Sequence, residues 1–264
     1  MKDIFSIEGK VAVVTGGSRG IGEMIASGFL ASGAKVYISS RKAEICNATA
    51  KKLTKEFGSE CISIPADLSH IEGIELLANE VTNKEAKLDI LINNAGASWG
   101  APIDEYPEMG WDKVMDTNVK GVFFLTQKLL PALRKAASSE NPSRVVNVGS
   151  IDGIKTGGFD AFAYGPSKAA LHHLTRVLAA SLIKENIIVN AIAPGPFPTW
   201  MLSTGVGFGG ETDVDWGVVG EQNPSGRVGN MEDIAGLAIF LCSRASAYTV
   251  GQTITCDGGA VASS

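Results

Sequence analysis

The chain has 264 residues, of which 45% are hydrophobic and 19% charged, and its formal net charge is −5. That composition excludes a disordered chain, because a core of ordinary size can be buried. The acidic balance offers nothing to a polyanion, so nucleic acid is not an expected partner.

The opening stretch, MKDIFSIEGKVAVVTGG, lacks the apolar core and small-residue cleavage site of a secretory leader. No apolar run reaches the roughly 18 residues of a membrane-spanning helix, so no membrane partner is expected. Cys46, Cys61, Cys242 and Cys256 show no C-x-x-C spacing, so reduced thiols and a cytoplasmic location are expected. Short Val/Ile-rich runs read as strands at Val11–Thr15, Lys35–Ser39, Cys61–Pro65, Asp89–Asn93, Arg144–Val148, Ile187–Ala193 and Gln252–Cys256. Most are apolar on both faces, as in a parallel sheet covered on both sides. Helical periodicity fills the gaps at Ile21–Ser32, Ile71–Ala86, Trp111–Ala137, Tyr164–Glu185 and Asp233–Leu241. This alternation predicts one α/β domain with right-handed crossovers. The segment Thr199–Arg227 breaks the rhythm, with seven glycines among Trp200, Met201, Phe208 and Trp216. It reads either as a substrate lid or as a surface loop or subunit contact.

After the first strand the chain reads Thr15-Gly16-Gly17-Ser18-Arg19-Gly20-Ile21-Gly22 and enters a helix. Glycines there let backbone N–H groups approach a pyrophosphate, which the positive end of the helix favours. About 20 residues on, where NAD-binding units carry a carboxylate, stands Ser39-Ser40-Arg41-Lys42. A guanidinium attracts a 2′-phosphate that a carboxylate would repel, and Arg19 supplies a second cation. The pattern favours NADP(H); the alternative is that Arg41 and Lys42 are a solvated helix start.

Further on stand Asn93-Asn94-Ala95-Gly96, Ser150, Tyr164-Gly165-Pro166-Ser167-Lys168, Pro194-Gly195 with Thr199, and Asp257-Gly258-Gly259. With the glycine loop, in this order, they resemble the short-chain dehydrogenase/reductase family over nearly the whole chain. Asn93–Gly100, Leu129–Pro142 and Ala163–His172 are similar to 3-ketoacyl reductases of the rhamnolipid-synthesis type. The resemblance implies a single-domain Rossmann fold, residues 1–264, with a doubly wound parallel seven-stranded sheet and helices on both faces. It implies a reversible NADP-dependent alcohol dehydrogenase or ketoreductase. Tyr164 is then the general acid–base, Lys168 the ribose-holding cation, Ser150 the hydrogen-bond donor to the carbonyl oxygen, and Asn118 the group that positions Lys168. The lysine lies one helical turn from the phenol, and a nearby ammonium is expected to lower the phenol's pKa. Pro166 fits only in the helix's first turn.

By the same resemblance the coenzyme runs along Gly16, Ser18, Arg19, Gly20, Ile21 and Gly22, then Ser40 and Arg41, then Asp67 and Leu68. It continues past Asn94, Ala95 and Gly96 to Tyr164 and Lys168, and ends at Pro194, Gly195, Phe197 and Thr199. Asn94 and Asp67 have structural alternatives, a strand-end turn and a helix cap. Trp99, Phe159, Phe162, Phe197, Trp200, Met201, Phe208 and Trp216 are candidates for an apolar substrate wall, and core packing claims some of them. Such a wall suits a hydrophobic carbonyl or alcohol, either a 3-oxoacyl thioester or a bulky ketone. Arg227, Arg134 and Lys155 are the cations available to a phosphopantetheine arm. Asp152 and Pro196-Phe197-Pro198 depart from the family pattern. His70, His172 and His173 lack the ligand spacing of a metal site, so no metal is expected. Family habit implies a homotetramer or homodimer. The competing function is a catalytically idle NADP-binding scaffold, which would be free to lose one member of the Ser150/Tyr164/Lys168 set.

Overall fold

The computed structural model describes residues 2–157, 160–204 and 214–264. The strands are β1 (Val11–Thr15), β2 (Lys35–Ser39), β3 (Cys61–Ser63), β4 (Ile90–Asn93), β5 (Ser143–Val148), β6 (Ile187–Pro194) and β7 (Thr253–Cys256). They form one parallel sheet in the order β3-β2-β1-β4-β5-β6-β7. Strand order reverses between β1 and β4, and the crevice beyond the carboxyl ends of the strands there is where such sheets bind ligands.

Side chains alternate along β1. Ala12 and Val14 enter one core layer, while Val11 and Val13 enter the other. The first layer packs against α1 (Gly20–Ala31) and α9 (Met231–Cys242), through Ile25, Phe29, Ile234 and Leu241. These helices approach closely at Gly28, where a Cβ would lie 2.4 Å from Ala235 Cβ. The second layer packs against α3 (Ile71–Lys84), α5 (Gly121–Ala136) and α6 (Tyr164–Leu182), through Leu77, Val81, Leu129, Leu133 and Leu182. Both sheet faces are therefore covered, as the apolar strand runs predict.

Two helix expectations need correction. The single helix expected over Trp111–Ala137 is α4 (Glu108–Met115) and α5, joined by a π-helical turn at Asp116–Lys120. Helix α2 (Ala43–Phe57), of which the sequence suggests only the start at Arg41 and Lys42, buries Cys46, Thr49, Ala50 and Leu53. The stripe has helical spacing, but Leu53 is its one large aliphatic side chain. The irregular 199–227 segment carries two short helices, α7 (Trp200–Thr204) and α8 (Trp216–Glu221). Residues 205–213, on which much of the lid expectation falls, lie outside the described residues. All four cysteines are free thiols.

Candidate active site

At the end of β1 the glycine loop is tied to β4. The Thr15 hydroxyl donates to the Ile92 carbonyl (3.2 Å) and accepts from the backbone N–H groups of Asn94 and Ala95 (both 2.9 Å). Asn94 Nδ2 donates to the Thr15 carbonyl (2.8 Å) and the Gly16 carbonyl (3.3 Å). The Asn94 side chain therefore braces the loop. Gly16 and Gly20 have φ of +64° and +57°, a region that glycine enters without a Cβ penalty. A Cβ on Gly22 would sit 2.3 Å from the Gly16 carbonyl oxygen. Ser18 is buried and its carbonyl accepts from Thr49 on α2; Ile21 packs onto the first core layer. The motif thus builds a backbone-walled cradle at the start of α1.

Arg19 stands at the N-cap of α1, and Arg41 follows β2. Burial first, and then the Arg41 charge, lower the Arg19 pKa, so the two guanidinium groups share one neighbourhood. Beside them Ser40 Oγ is buried without a conventional hydrogen-bond partner, its neighbour being the weak Cys46 thiol. Across the crevice, Asp67 Oδ1 accepts from the Ser69 N–H and hydroxyl, at 3.0 and 2.7 Å. Asp67 therefore closes a local turn and does not cap α3, whose N-cap is His70. Burial works to raise its pKa, but Ser69 and then Arg41 hold it below the ordinary carboxylate value. Leu68 is buried, and its carbonyl faces Gly121.

Ser150 follows β5 at the N-cap of a short 3₁₀ turn, Ile151–Gly153, where its Oγ accepts from the Asp152 N–H (3.1 Å). Tyr164 opens α6, which puts Pro166 in the first turn, where its missing N–H costs little. Lys168, one turn on, is 4% exposed and donates to the Val148 carbonyl (2.8 Å), beside Ser150. Its Nζ lies 5.6 Å from the centroid of the Tyr164 ring. Asn118, in the π-helical turn, is fully buried. Its Nδ2 donates to the Ala97 carbonyl and to Ser167 Oγ (both 2.9 Å), and its Oδ1 accepts from the Ala97 N–H (2.8 Å). Gly96 stands where Asn118 Oδ1 and Lys168 Nζ converge, 3.4 and 3.6 Å from the place of a Cβ.

The expected lowering of the phenol pKa by Lys168 does not occur in this state. Burial pushes Tyr164 up to about 12, with the Asp152 charge adding to the rise and a hydrogen bond with Ser150 opposing it. Burial also pushes Lys168 down to about 8. Desolvation outweighs an ammonium whose hydrogen bond goes to a backbone carbonyl.

β6 ends at Pro194. Gly195 N–H donates to the Cys256 carbonyl (3.0 Å), and a Cβ there would lie 2.8 Å from Asp257 Cα. Thr199 sits against Gly20, its Cγ2 3.1 Å from the place of a Cβ there, so this segment meets the glycine loop. Phe197 needs correction as a wall residue. Its side chain is 2% exposed and packs on Gly229 within the first core layer, leaving only its backbone to a ligand.

Of the other apolar candidates, Trp99 covers Gly110 with Lys113 5.0 Å from its ring, and Phe162 meets Tyr106 edge-on at 5.7 Å. Trp200 and Met201 are exposed on α7, and the Arg19 guanidinium stacks on Trp200 at 4.0 Å. Phe159 and Phe208 lie outside the described residues. The three cations considered for an anionic arm are engaged. Arg227 pairs with Asp233 (2.6 Å), Arg134 pairs with Glu185, and Lys155 donates to the Ala260 carbonyl (2.8 Å). Asp152 lies against Gly157, and burial raises its pKa.

A family model described as enoyl-(acyl carrier protein) reductase matches residues 16–261. The rhamnolipids biosynthesis 3-oxoacyl-acyl-carrier-protein reductase of Pseudomonas aeruginosa is 50% identical over 259 residues, 98% of this chain and 99% of that protein. The chain belongs to the short-chain dehydrogenase/reductase family. Among solved structures, the Pseudomonas aeruginosa RhlG/NADP active-site complex superposes with a TM-score of 0.90 at 50% identity, covering 98% of this chain and 99% of that one. A 7α-hydroxysteroid dehydrogenase complexed with NADH and 7-oxo glycochenodeoxycholic acid does so at 0.88 and 30% identity, covering 99% and 98%. This is an oxidoreductase family, and its doubly wound parallel sheet is the one described above.

Sequence reasoning missed two members of the site and one contact within it. Thr15 and Ser167 are small hydroxyls inside recognised motifs, overlooked because neighbouring glycines and charged groups carry the signal. Ser167 is fully buried and donates to the Tyr164 carbonyl (2.7 Å), joining α6 to Asn118. The Arg19–Trp200 stack joins segments far apart in sequence, and no local pattern announces it.

Proposed function

We propose that the protein catalyses the reversible, NADP(H)-dependent reduction of a hydrophobic ketone to a secondary alcohol. The carrying observation is the convergence of Ser150, Tyr164 and Lys168, from the end of β5 and the first turns of α6, next to the glycine-loop crevice. The chain acts as one catalytic domain, with residues 199–227 as its substrate lid.

The residues fit the coenzyme. Gly16, Ser18, Gly20, Ile21 and Gly22 hold the pyrophosphate on backbone N–H groups at the start of α1. Arg19 and Arg41, close enough for their charges to act on one another, with Ser40 next to Arg41, make a donor set suited to a 2′-phosphate. Asp67 and Leu68 border the adenine side. Asn94, Ala95 and Gly96 lead to Lys168, which holds the ribose, and Pro194, Gly195, Phe197 (by its backbone) and Thr199 frame the far end. When bound, the coenzyme supplies the hydride or accepts it.

Ser150 Oγ accepts from Asp152 N–H and so keeps its own proton to donate to the substrate oxygen. That bond strengthens as charge builds on the oxygen. Tyr164 holds its proton at neutral pH and delivers it to the same oxygen. Lys168, anchored on Val148, places a cation beside the phenolate that results. Asn118 and Ser167 fix the start of α6 against Ala97.

Two substrate classes compete. The Pseudomonas relative's name supports a 3-oxoacyl thioester. The engagement of Arg227, Arg134 and Lys155 favours a bulky ketone with no anionic arm, which Trp99, Phe162, Trp200 and Met201 would face. We place the enzyme in the cytoplasm as a homotetramer or homodimer, on family habit. No helix among the described residues is long and apolar enough to cross a membrane. The test follows the absorbance of NADPH with 3-oxoacyl thioesters and with cyclic ketones. Consumption with either class supports the reading and chooses between them; bound but unconsumed NADPH across both sets restores the idle-scaffold alternative.

A further inference from the structure

His172 lies on α6 one turn beyond Lys168 and two beyond Tyr164, so the three side chains share a helix face. It is 5% exposed, and its Nε2 is buried with no hydrogen-bond partner. Burial pushes the imidazole pKa down to about 4, with the Lys168 and Arg176 charges adding to the fall, so the ring is neutral. The Gly153 backbone opposes that shift but makes no hydrogen bond of normal geometry to Nε2. Burying a ring nitrogen without a conventional partner is unfavourable, so the ring's shape is the feature to account for.

The shape fits the turn that carries Ser150. A Cβ on Gly149 would lie 2.0 Å from His172 Nε2 and 2.6 Å from Cδ2. A Cβ on Gly153 would lie 2.8 Å from Cε1 and 2.7 Å from the Lys168 carbonyl carbon. Neither glycine has a positive φ, so both are needed for space and not for backbone conformation. The volume their side chains would fill is taken by the imidazole and by the α6 backbone. The turn is otherwise held by hydrogen bonds from Gly149 N–H to the Ile192 carbonyl (2.7 Å), Gly153 N–H to the Ser150 carbonyl (3.0 Å), Asp152 N–H to Ser150 Oγ (3.1 Å) and the Ile154 and Lys155 N–H groups to the Ile151 carbonyl (both 2.9 Å), and by the approach of Gly165 to the Asp152 carbonyl. Among the described side chains of α6, His172 is the one that fills the space at both Gly149 and Gly153.

We propose that His172 is a positioning residue for Ser150: its ring is a strut between α6 and the Gly149–Gly153 turn, so that one helix sets the spacing of all three catalytic groups. The inference rests on the ketoreductase reading of the site. It predicts that His172 acts on catalysis through Ser150 alone.

The experiment is a double-mutant cycle on the full-length protein with NADPH and the best ketone of the panel. His172→Leu, His172→Gln and Gly149→Ala are each made in the wild-type and Ser150→Ala backgrounds. Each single substitution is expected to lower kcat about 10- to 100-fold, the cost of misplacing a catalytic group by about 1 Å. NADPH affinity should stay within about twofold, because the cradle lies on other elements. In the Ser150→Ala background the same substitutions should change kcat by less than about twofold. Undiminished kcat in the folded variants overturns the inference while leaving the ketoreductase reading intact, as does an equal loss in both backgrounds. Failure of all three variants to fold overturns it too, since it reveals a general core role. A wild-type enzyme silent with every ketone removes the reading and the inference together.

Discussion

The coenzyme side and the substrate side of the crevice are built on opposite plans. Around the glycine loop the chain has no room for side chains of its own: a Cβ on Gly16, Gly17 or Gly22 would come within 3.0 Å of Asn94, Ile38 or the Gly16 carbonyl, which leaves backbone to face a ligand. Around α7 the walls are side chains standing off the backbone, with Trp200 56% and Met201 36% exposed. A site made of backbone contacts tolerates few residues and therefore writes itself into the sequence as a motif. A site made of side chains can be changed one residue at a time without disturbing the fold, and its sequence says little about what it binds.

The largest break in that comparison is at the chemical centre between the two sides. Tyr164→Phe removes the proton donor and nothing else of size. Turnover should fall about 10²- to 10⁴-fold, the usual worth of a positioned acid–base group. NADPH affinity, measured by fluorescence titration, should stay within a few-fold; retained turnover would remove Tyr164 from the mechanism.

Next come the side chains that the coenzyme side contributes at the 2′-phosphate. Arg41→Ala should weaken NADPH about 10- to 100-fold, as expected for losing a charge-assisted hydrogen bond, while NADH changes little. Equal weakening of both would mean that Arg41 does not meet a 2′-phosphate.

A third effect is on pH. With its pKa held at about 12, Tyr164 is protonated throughout the neutral range. The reductive rate should therefore be nearly flat from pH 6 to 7 and fall as pH passes about 8, where Lys168 loses its charge. The oxidative rate, which needs the phenolate, should climb with pH by up to about tenfold per unit. Asp152→Asn removes a charge that raises the phenol pKa, so its oxidative profile should move to lower pH. An unmoved profile would place that carboxylate outside the field of Tyr164.

Most of the fold was legible because both sheet faces are buried. Strand runs such as Val11–Thr15 are apolar throughout, and the strands expected differ from those observed only at their ends. What was illegible had physical reasons. Helix α2 buries a stripe of helical spacing in which Leu53 is the one large aliphatic side chain, too weak an apolar signal to stand out. The π-helical turn at Asp116–Lys120 is one extra residue per turn, and neither glycine nor proline marks it, yet it aims Asn118 at Ala97 and Ser167. Phe197 lies between two prolines and reads as a loop aromatic, but the close approach of Gly229 opens a core slot for its ring. The phenol pKa was misjudged because helical spacing gives the direction of an ammonium and not the desolvation that competes with it.

The smallest effect sharpens the comparison most, because it lies where the two sides touch. The Arg19 guanidinium rests on the Trp200 ring, joining a coenzyme-side cation to the first residue of α7. Such a contact at an exposed position contributes about 0.5–1 kcal/mol. If it pre-orients Arg19 toward the phosphate site, Trp200→Ala should weaken NADPH about two- to fivefold, and Trp200→Phe, which keeps a π face, should recover most of that. NADH, which has no 2′-phosphate to meet Arg19, should be indifferent to both. If the ring serves only the substrate, the ketone KM should rise with no change in either coenzyme. An effect on NADPH alone would show that the substrate side, despite its exposed side chains, helps to select the coenzyme.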